Sequence, residues 1–398
     1  MARIGPYVPP IAAGLTFAAY GVFGALPVPL GLARTLGLDE PTTAAWFFSV
    51  SIVSGLGTLP LLLRYREPYS IGFNVAAAIL LASAGARYGW PALLGASAVA
   101  GAVIAIAGLA GVGRLALRLL PLPLVMAMFA GSILRLATDA FAQLGTEPLI
   151  GGAAVAGYFA TRLLSRDRLP PTIGALALAL AATALTGRWP AAVPVALTLP
   201  RYAGLDLDAG AIATLVVPVV LIVVGTSNVQ AIGFMRAQGY RAPVDLLTFC
   251  VGLFTVVTAL LGGTPSGMAR VGAAIVSGPD AGRKELRWIA SFVAAVIFVI
   301  VAFLAIPISA LAFSLPRSLV TTVAALAIVN ALLDALRIAF TSKLPYSSFF
   351  AFLIAFSPFA PLGLEAAFWA LVAGMVLAVV FEREALRTTL AEARATPR

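Results

Sequence analysis

One arginine stands where an apolar helix should begin. Arg270 follows Thr264-Pro265-Ser266-Gly267-Met268-Ala269 and precedes the small, apolar run VGAAIVS. A guanidinium at that depth in a membrane costs about 3 kcal/mol or more, so its presence asks for a function. Its planar fork suits a carboxylate or another oxyanion. The alternative is an ion pair that fixes the fold, or snorkelling to a surface. Asn74 opens a similar run, NVAAAILLAS. Its amide can bond a substrate or cap its own helix. Tyr69, Ser70 and Phe73 precede it, and aromatic rings there can stack on a flat substrate or pack a core. Thr226, Ser227, Asn228 and Gln230 interrupt a span otherwise rich in Val and Ile. Such a cluster is costly unless partnered, by a substrate or by another helix. Thr264, Ser266 and Gly267 lead into Arg270, and Phe23 lies at a matching depth in the first span.

Other chemistries are excluded. The chain has no histidine and one cysteine, Cys250. It therefore has no intrachain disulfide, no His/Cys metal centre and no Ser-His or Cys-His pair. No paired carboxylates in one span and no phosphate loop are present, so a membrane-embedded enzyme is only a remote alternative, and no cofactor is expected. Asp139 and Asp334 end apolar spans near Arg135 and Arg337. They can serve as structural ion pairs or, less directly, as proton carriers.

The elements that must position these residues are membrane helices. Of 398 residues 61% are hydrophobic and 11% are charged, against about 25% charged in a soluble domain. Mean hydropathy is +1.02. The first six residues lack the charged start and cleavage site of a leader. Breaks at Gly, Pro and charge clusters place segments near 11–33, 43–63, 68–86, 91–112, 119–138, 148–164 and 171–187. After a polar stretch, 188–210, they resume near 211–235, 243–262, 265–278, 286–308, 318–337, 345–358 and 361–381. The reading is an all-α polytopic membrane protein with 14 transmembrane segments, of which 68–86, 265–278 and 345–358 are short or broken. Of the 26 Lys and Arg, 19 fall in one set of loops and tails, five in the other, and Arg135 and Arg270 within spans. This asymmetry puts both termini in the cytoplasm. It also assigns the net charge of +10 to topology and not to nucleic acid.

The halves repeat. GLARTLGLDEP (31–41) matches GFMRAQGYRAP (233–243) at Gly31/Gly233, Arg34/Arg236, Gly37/Gly239 and Pro41/Pro243. The run from Pro68 to Ile79 resembles that from Pro265 to Ile275, with Asn74 opposite Arg270. A weaker pair, 122–139 and 315–334, starts Leu-Pro and ends in Asp139 and Asp334. Seven segments per repeat is odd, so the second half is inverted. Inverted repeats with broken segments at matching positions are the mark of a secondary transporter with its site near the midplane. There, an extended stretch opening into a half-helix aims free N–H groups and a positive dipole end at the substrate.

The runs RYREPYSIGFNVAAAILLASAG, GTSNVQAIGFMRAQGY, GGTPSGMARVGAAIVSGP and AAFWALVAGMVLAVVFERE together resemble the benzoate/proton symporter (BenE-type) family, which is related to uracil/xanthine permeases and sulfate permeases. The resemblance covers nearly the whole chain. It implies a uracil-permease-like fold of two inverted seven-segment repeats with short broken segments 3 and 10. A core domain would comprise 1–118 and 205–314, and a gate domain 119–204 and 315–398. It further implies elevator-type import of a small anionic substrate, an aromatic carboxylate such as benzoate, coupled to protons. It also implies a homodimer in the inner (plasma) membrane. The chain departs from its wider relatives. Only 17 residues follow the last span, where sulfate permeases carry a cytoplasmic domain, and segment 8 lacks the acid with which nucleobase permeases hold the base. The alternative is a nucleobase or inorganic-anion transporter on the same fold. No acid sits at the inferred site, so the proton carrier stays open between the substrate itself and a gate aspartate.

Overall fold

The computed structural model describes residues 5–111, 121–165, 171–188, 196–228, 231–232, 235–236, 238–359, 361 and 366–395. The first span comprises α1 (Val8–Ala19), a π-helical turn at Tyr20–Ala25 and α2 (Pro27–Thr35). α3 (Glu40–Leu56) and α4 (Leu59–Tyr65) make the second, broken at Gly57-Thr58 ahead of Pro60. Then come β1 (Ile71–Phe73), α5 (Val75–Ser83) and α6 (Trp90–Leu109). α7 (Leu122–Thr146), α8 (Pro148–Ser165) and α9 (Pro171–Leu185) follow.

The second half opens with α10 (Ala209–Ile222), which carries Pro218, and a second π-helical turn, Val223–Asn228. α11 (Val244–Leu260), β2 (Ser266–Met268), α12 (Arg270–Ser277), α13 (Trp288–Phe303) and α14 (Ala305–Ser314) come next. α15 (Arg317–Phe340), α16 (Pro345–Phe356), α17 (Ala366–Phe381) and α18 (Arg383–Ala395) complete the order. Each of the 14 expected segments has a counterpart here. By length and composition, five described helices can cross a membrane: Val8–Thr35, Glu40–Tyr65, Trp90–Leu109, Lys284–Phe303 and Arg317–Phe340. The other apolar helices are shorter, and α18 turns away from α17 by 109°.

The repeat is visible in backbone geometry. Gly37 and Gly239, matched by sequence, both adopt left-handed φ, +67° and +76°, where a side chain would be strained. The π turns occupy corresponding places in the first span of each half. β1 and β2 pair antiparallel, Ile71 with Met268, Gly72 with Gly267 and Phe73 with Ser266. The pairing extends outward: Asn74 N donates to Pro265 O (2.7 Å) and Ala269 N to Ser70 O (2.8 Å).

Extended backbone in a membrane must be satisfied by protein. Here two threonines do so, one from the break between α3 and α4 and one from α11. Ile71 N donates to Thr58 Oγ1 at 3.0 Å and Ser266 N to Thr255 Oγ1 at 3.1 Å. Asn228 Oδ1 accepts from Met268 N at 3.0 Å.

One body gathers α1, α3, α6, α10, α11 and α13 around this ribbon. α7, α8, α9, α15, α16 and α17 pack on one another beside it. α6 and α11 approach closely through small residues: a Cβ on Gly252 would lie 2.2 Å from Ala105 N. Without a hydrophobic driving force between helices in lipid, such backbone proximity is what holds them. Residues expected on one side of the membrane also meet one another. Glu147 accepts from Arg188 and from Ser318, while Tyr240 donates to Lys284 O (3.1 Å) and Lys284 Nζ to Gly239 O (2.9 Å).

Candidate functional site

The two half-helices begin at the ribbon, and their starts are built differently. α5 is capped by Asn74, whose Oδ1 accepts from Ala77 N at 3.0 Å. α12 begins after Ala269, which has no side chain to cap it, so Arg270 is its first residue. By backbone role Asn74 therefore corresponds to Ala269 and Arg270 to Val75. This is a shift of one residue from the sequence alignment, which could not see where each strand ends. No side chain caps this start, which is the positive end of the helix.

Both starts open on a cavity of about 520 Å³ between the ribbon body and the helices beside it. Its aromatic walls are Phe17, Tyr20, Phe73, Phe129, Tyr158 and Phe298, with Phe17 and Phe298 edge to face at 5.6 Å. Its polar lining includes Asn74, Ser227, Arg270, Asn330 and Asp334. Asn74 Nδ2 donates to Ser227 Oγ at 2.9 Å. Arg270 Nη1 lies 3.9 Å from Asp334 Oδ2, with the side chains 30% and 57% exposed. Asp334 was expected to pair with Arg337 on its own helix; instead it reaches across the cavity. Gly272 also lines it, and a Cβ there would fall 2.3 Å from the Phe17 ring.

The structure thus brings together four of the sequence candidates, Phe73, Asn74, Ser227 and Arg270, with Asp334 opposite them. Others support the frame. Trp46 Nε1 donates to Thr264 Oγ1 (3.1 Å), Ser266 and Gly267 form β2, and Asn228 holds the ribbon. Ser70 is buried and lends its carbonyl to Ala269. Tyr69 is buried away from the cavity, donating to Glu67 Oε2 at 2.6 Å. Phe23 is 39% exposed and does not line the cavity; the π turn gives that face to Tyr20. Thr226 lies in the second π turn with its side chain outside the described residues. The Asp139 and Arg135 side chains, and all of Gln230, also lie outside them.

Sequence reasoning missed Tyr20, Phe298, Ser51 and Thr172. The last two place buried hydroxyls beside the cavity, with no partner among the described residues. Local sequence held no sign of them, because the cavity joins elements far apart in the chain. Among the described residues no group of His, Cys, Asp and Glu could hold a metal ion.

An aromatic cavity at two facing half-helix starts, inside an apolar helical body, defines a membrane transport protein and not an enzyme. The fold agrees. The chain is similar to the transmembrane domain of a cyanobacterium bicarbonate transporter, BicA (TM-score 0.59, 14% identity, 95% of this chain and 98% of that one). It is also similar to SLC26A9 (TM-score 0.63, 14% identity, 96% of this chain and 66% of that one). The chain belongs to the benzoate membrane transport protein (BenE) family, whose profile matches residues 7–380. It is 27% identical over 375 residues to the inner membrane protein YdcO of Escherichia coli (strain K12), covering 94% of this chain and 95% of that protein. It is 22% identical over 356 residues to the benzoate membrane transport protein of Acinetobacter baylyi, covering 89% and 90%.

Proposed function

We propose that this protein is a secondary active importer of an aromatic carboxylate such as benzoate, coupled to protons. The observation that carries the reading is the meeting of Arg270 with the uncapped start of α12 inside an aromatic cavity. The guanidinium and the positive end of α12 take the carboxylate. Phe17, Tyr20 and Phe73 take the ring, and Asn74 and Ser227 set the edge of the pocket. A volume of about 520 Å³ falls within the usual range for small-molecule sites.

Fourteen crossings in two inverted repeats, with both termini cytoplasmic, accord with the 19-to-5 distribution of cations. A place in the inner membrane accords with the relative YdcO. The ribbon body is the mobile core and the α7–α9 and α15–α17 helices are the gate, moving past one another as an elevator. The gate also forms the contact of a homodimer.

The likeness to a bicarbonate transporter favours a second reading, an inorganic anion. The aromatic walls weigh against it. Purified protein should be screened for thermal stabilisation and for uptake after reconstitution, with benzoate, uracil, xanthine, sulfate and bicarbonate. Benzoate is expected to act. Uracil or bicarbonate acting without benzoate overturns the proposal.

A further inference from the structure

Among the described residues that line the cavity, two carry full charge, Arg270 and Asp334. They stand on different bodies, Arg270 on α12 beside the ribbon and Asp334 on α15 opposite. Their 3.9 Å separation is longer than a charge-assisted hydrogen bond. They neutralise one another without closing the space between them. More than half of the Asp334 side chain remains open. An arriving carboxylate must use the same guanidinium.

We infer that Asp334 is the counter-ion that the substrate carboxylate displaces from Arg270, and that its displacement is what couples a proton to each substrate. This rests on the carboxylate reading above and names the coupling device of that site. Among the described residues the empty site holds one positive and one negative charge. With substrate bound and Asp334 ionised it would hold one uncompensated negative charge, and two carboxylates sharing one guanidinium repel each other. Protonation of Asp334 restores neutrality. Empty and loaded sites then carry the same net charge, zero, and one carboxylate moves with one proton. The proton is taken up by the Asp334 carboxylate from the side of entry and lost again when the substrate leaves and Arg270 returns.

The groups facing Asp334 fit this exchange. Arg270 faces it from α12, and Tyr20, in the first π turn, lies within electrostatic reach of Arg270, Asp334 and Tyr158 of α8. Asn330 lines the cavity one turn earlier on α15, and Arg337 follows Asp334 on the same helix. α7 also packs on α15 and carries Arg135 and Asp139, whose side chains lie outside the described residues, so Asp139 is the competing carrier.

The test uses benzoate with the purified and reconstituted full chain, against protein-free vesicles. In the wild type, benzoate affinity should weaken as pH rises, because the proton must accompany it. A pH gradient should drive accumulation, and a potassium diffusion potential should not. Asp334→Asn removes the competitor, so benzoate should bind several-fold tighter and independently of pH. Uptake by this variant should ignore the pH gradient and follow an inside-positive potential, by about tenfold per decade of potassium gradient for one charge. Asp334→Glu should restore pH-driven uptake.

Weaker binding by Asp334→Asn, or pH-driven accumulation equal to wild type, overturns the inference. So does Asp139→Asn uncoupling the protein while Asp334→Asn does not. A wild type that neither binds nor transports benzoate overturns the substrate reading, and the coupling with it. A wild type that transports while Asp334→Asn stays coupled overturns the coupling alone.

Discussion

Asn74 Nδ2 donates a 2.9 Å hydrogen bond to Ser227 Oγ, tying the broken segment of the first half to the π turn of the second. The same amide caps α5 through Oδ1. Of the two roles offered by the sequence, the cap is made by Oδ1, while Nδ2 is engaged by Ser227 at the cavity wall.

Replacement of Asn74 should separate these roles. Asn74→Ala loses the cap, at about 0.5–2 kcal/mol, and the bond to Ser227. Asn74→Asp keeps an acceptor for Ala77 N but has no donor for Ser227 when ionised. Thermal unfolding should rank wild type above Asp and Asp above Ala, while benzoate titration should show both variants weakened.

Arg270→Ala should weaken benzoate binding severely. Hydrogen bonds to charged groups contribute about 1.5–3 kcal/mol, which corresponds to a loss of roughly tenfold to more than a hundredfold. Arg270→Lys keeps the charge and loses the fork, so its affinity should lie between. Isothermal titration of all three proteins decides this, and equal affinities would make the arginine purely structural.

Gly252→Ala should destabilise the protein without touching the cavity. Its new methyl would meet the backbone of α6 at Ala105, and overpacking of this kind costs about 1–3 kcal/mol. A lowered unfolding temperature in detergent is expected.

Glu147 supplies a pH test at the end of the spans. The Ser318 hydroxyl above all holds its carboxyl below the usual range; burial opposes it, and the hydrogen bond and charge of Arg188 add to the lowering. A lowered folded pKa stabilises above the unfolded value, about 4.3, and that contribution fades as pH falls through the folded value. Ser318→Ala should therefore unfold at a lower temperature than wild type at pH 7. The two melting curves should converge as the solution is acidified below about pH 4.

Much of this architecture could be read from sequence because membrane helices announce themselves. Apolar runs between Gly, Pro and charge place every expected segment, and Gly37 and Gly239 mark the repeat because both need φ above zero. The start of α5 was legible because Asn before an Ala-rich run is a cap.

The pairing of β1 with β2 was not legible. PYSIGF and PSGM show no alternation, and their partners lie about 200 positions away in the chain. Depth alone placed Phe23 near the site. A helix advances about 100° per residue, so the extra residue of a π turn rotates the face, and Tyr20 takes the cavity wall. Asp334 was visible as an acid near the end of a span. Its meeting with Arg270 belongs to the packing of α15 against distant elements, and the nearby Arg337 suggested a different partner.

The ribbon of β1 and β2 has a consequence for how a cargo can travel. Each half-chain contributes one strand, and the two are stitched by backbone bonds from Ser70–Ala269 to Asn74–Pro265. Pulling the halves apart around a bound molecule would strip those bonds at a depth where no water waits to replace them. The pocket floor is therefore a single seam shared by both halves, and opening the chain along the line between them would have to break it.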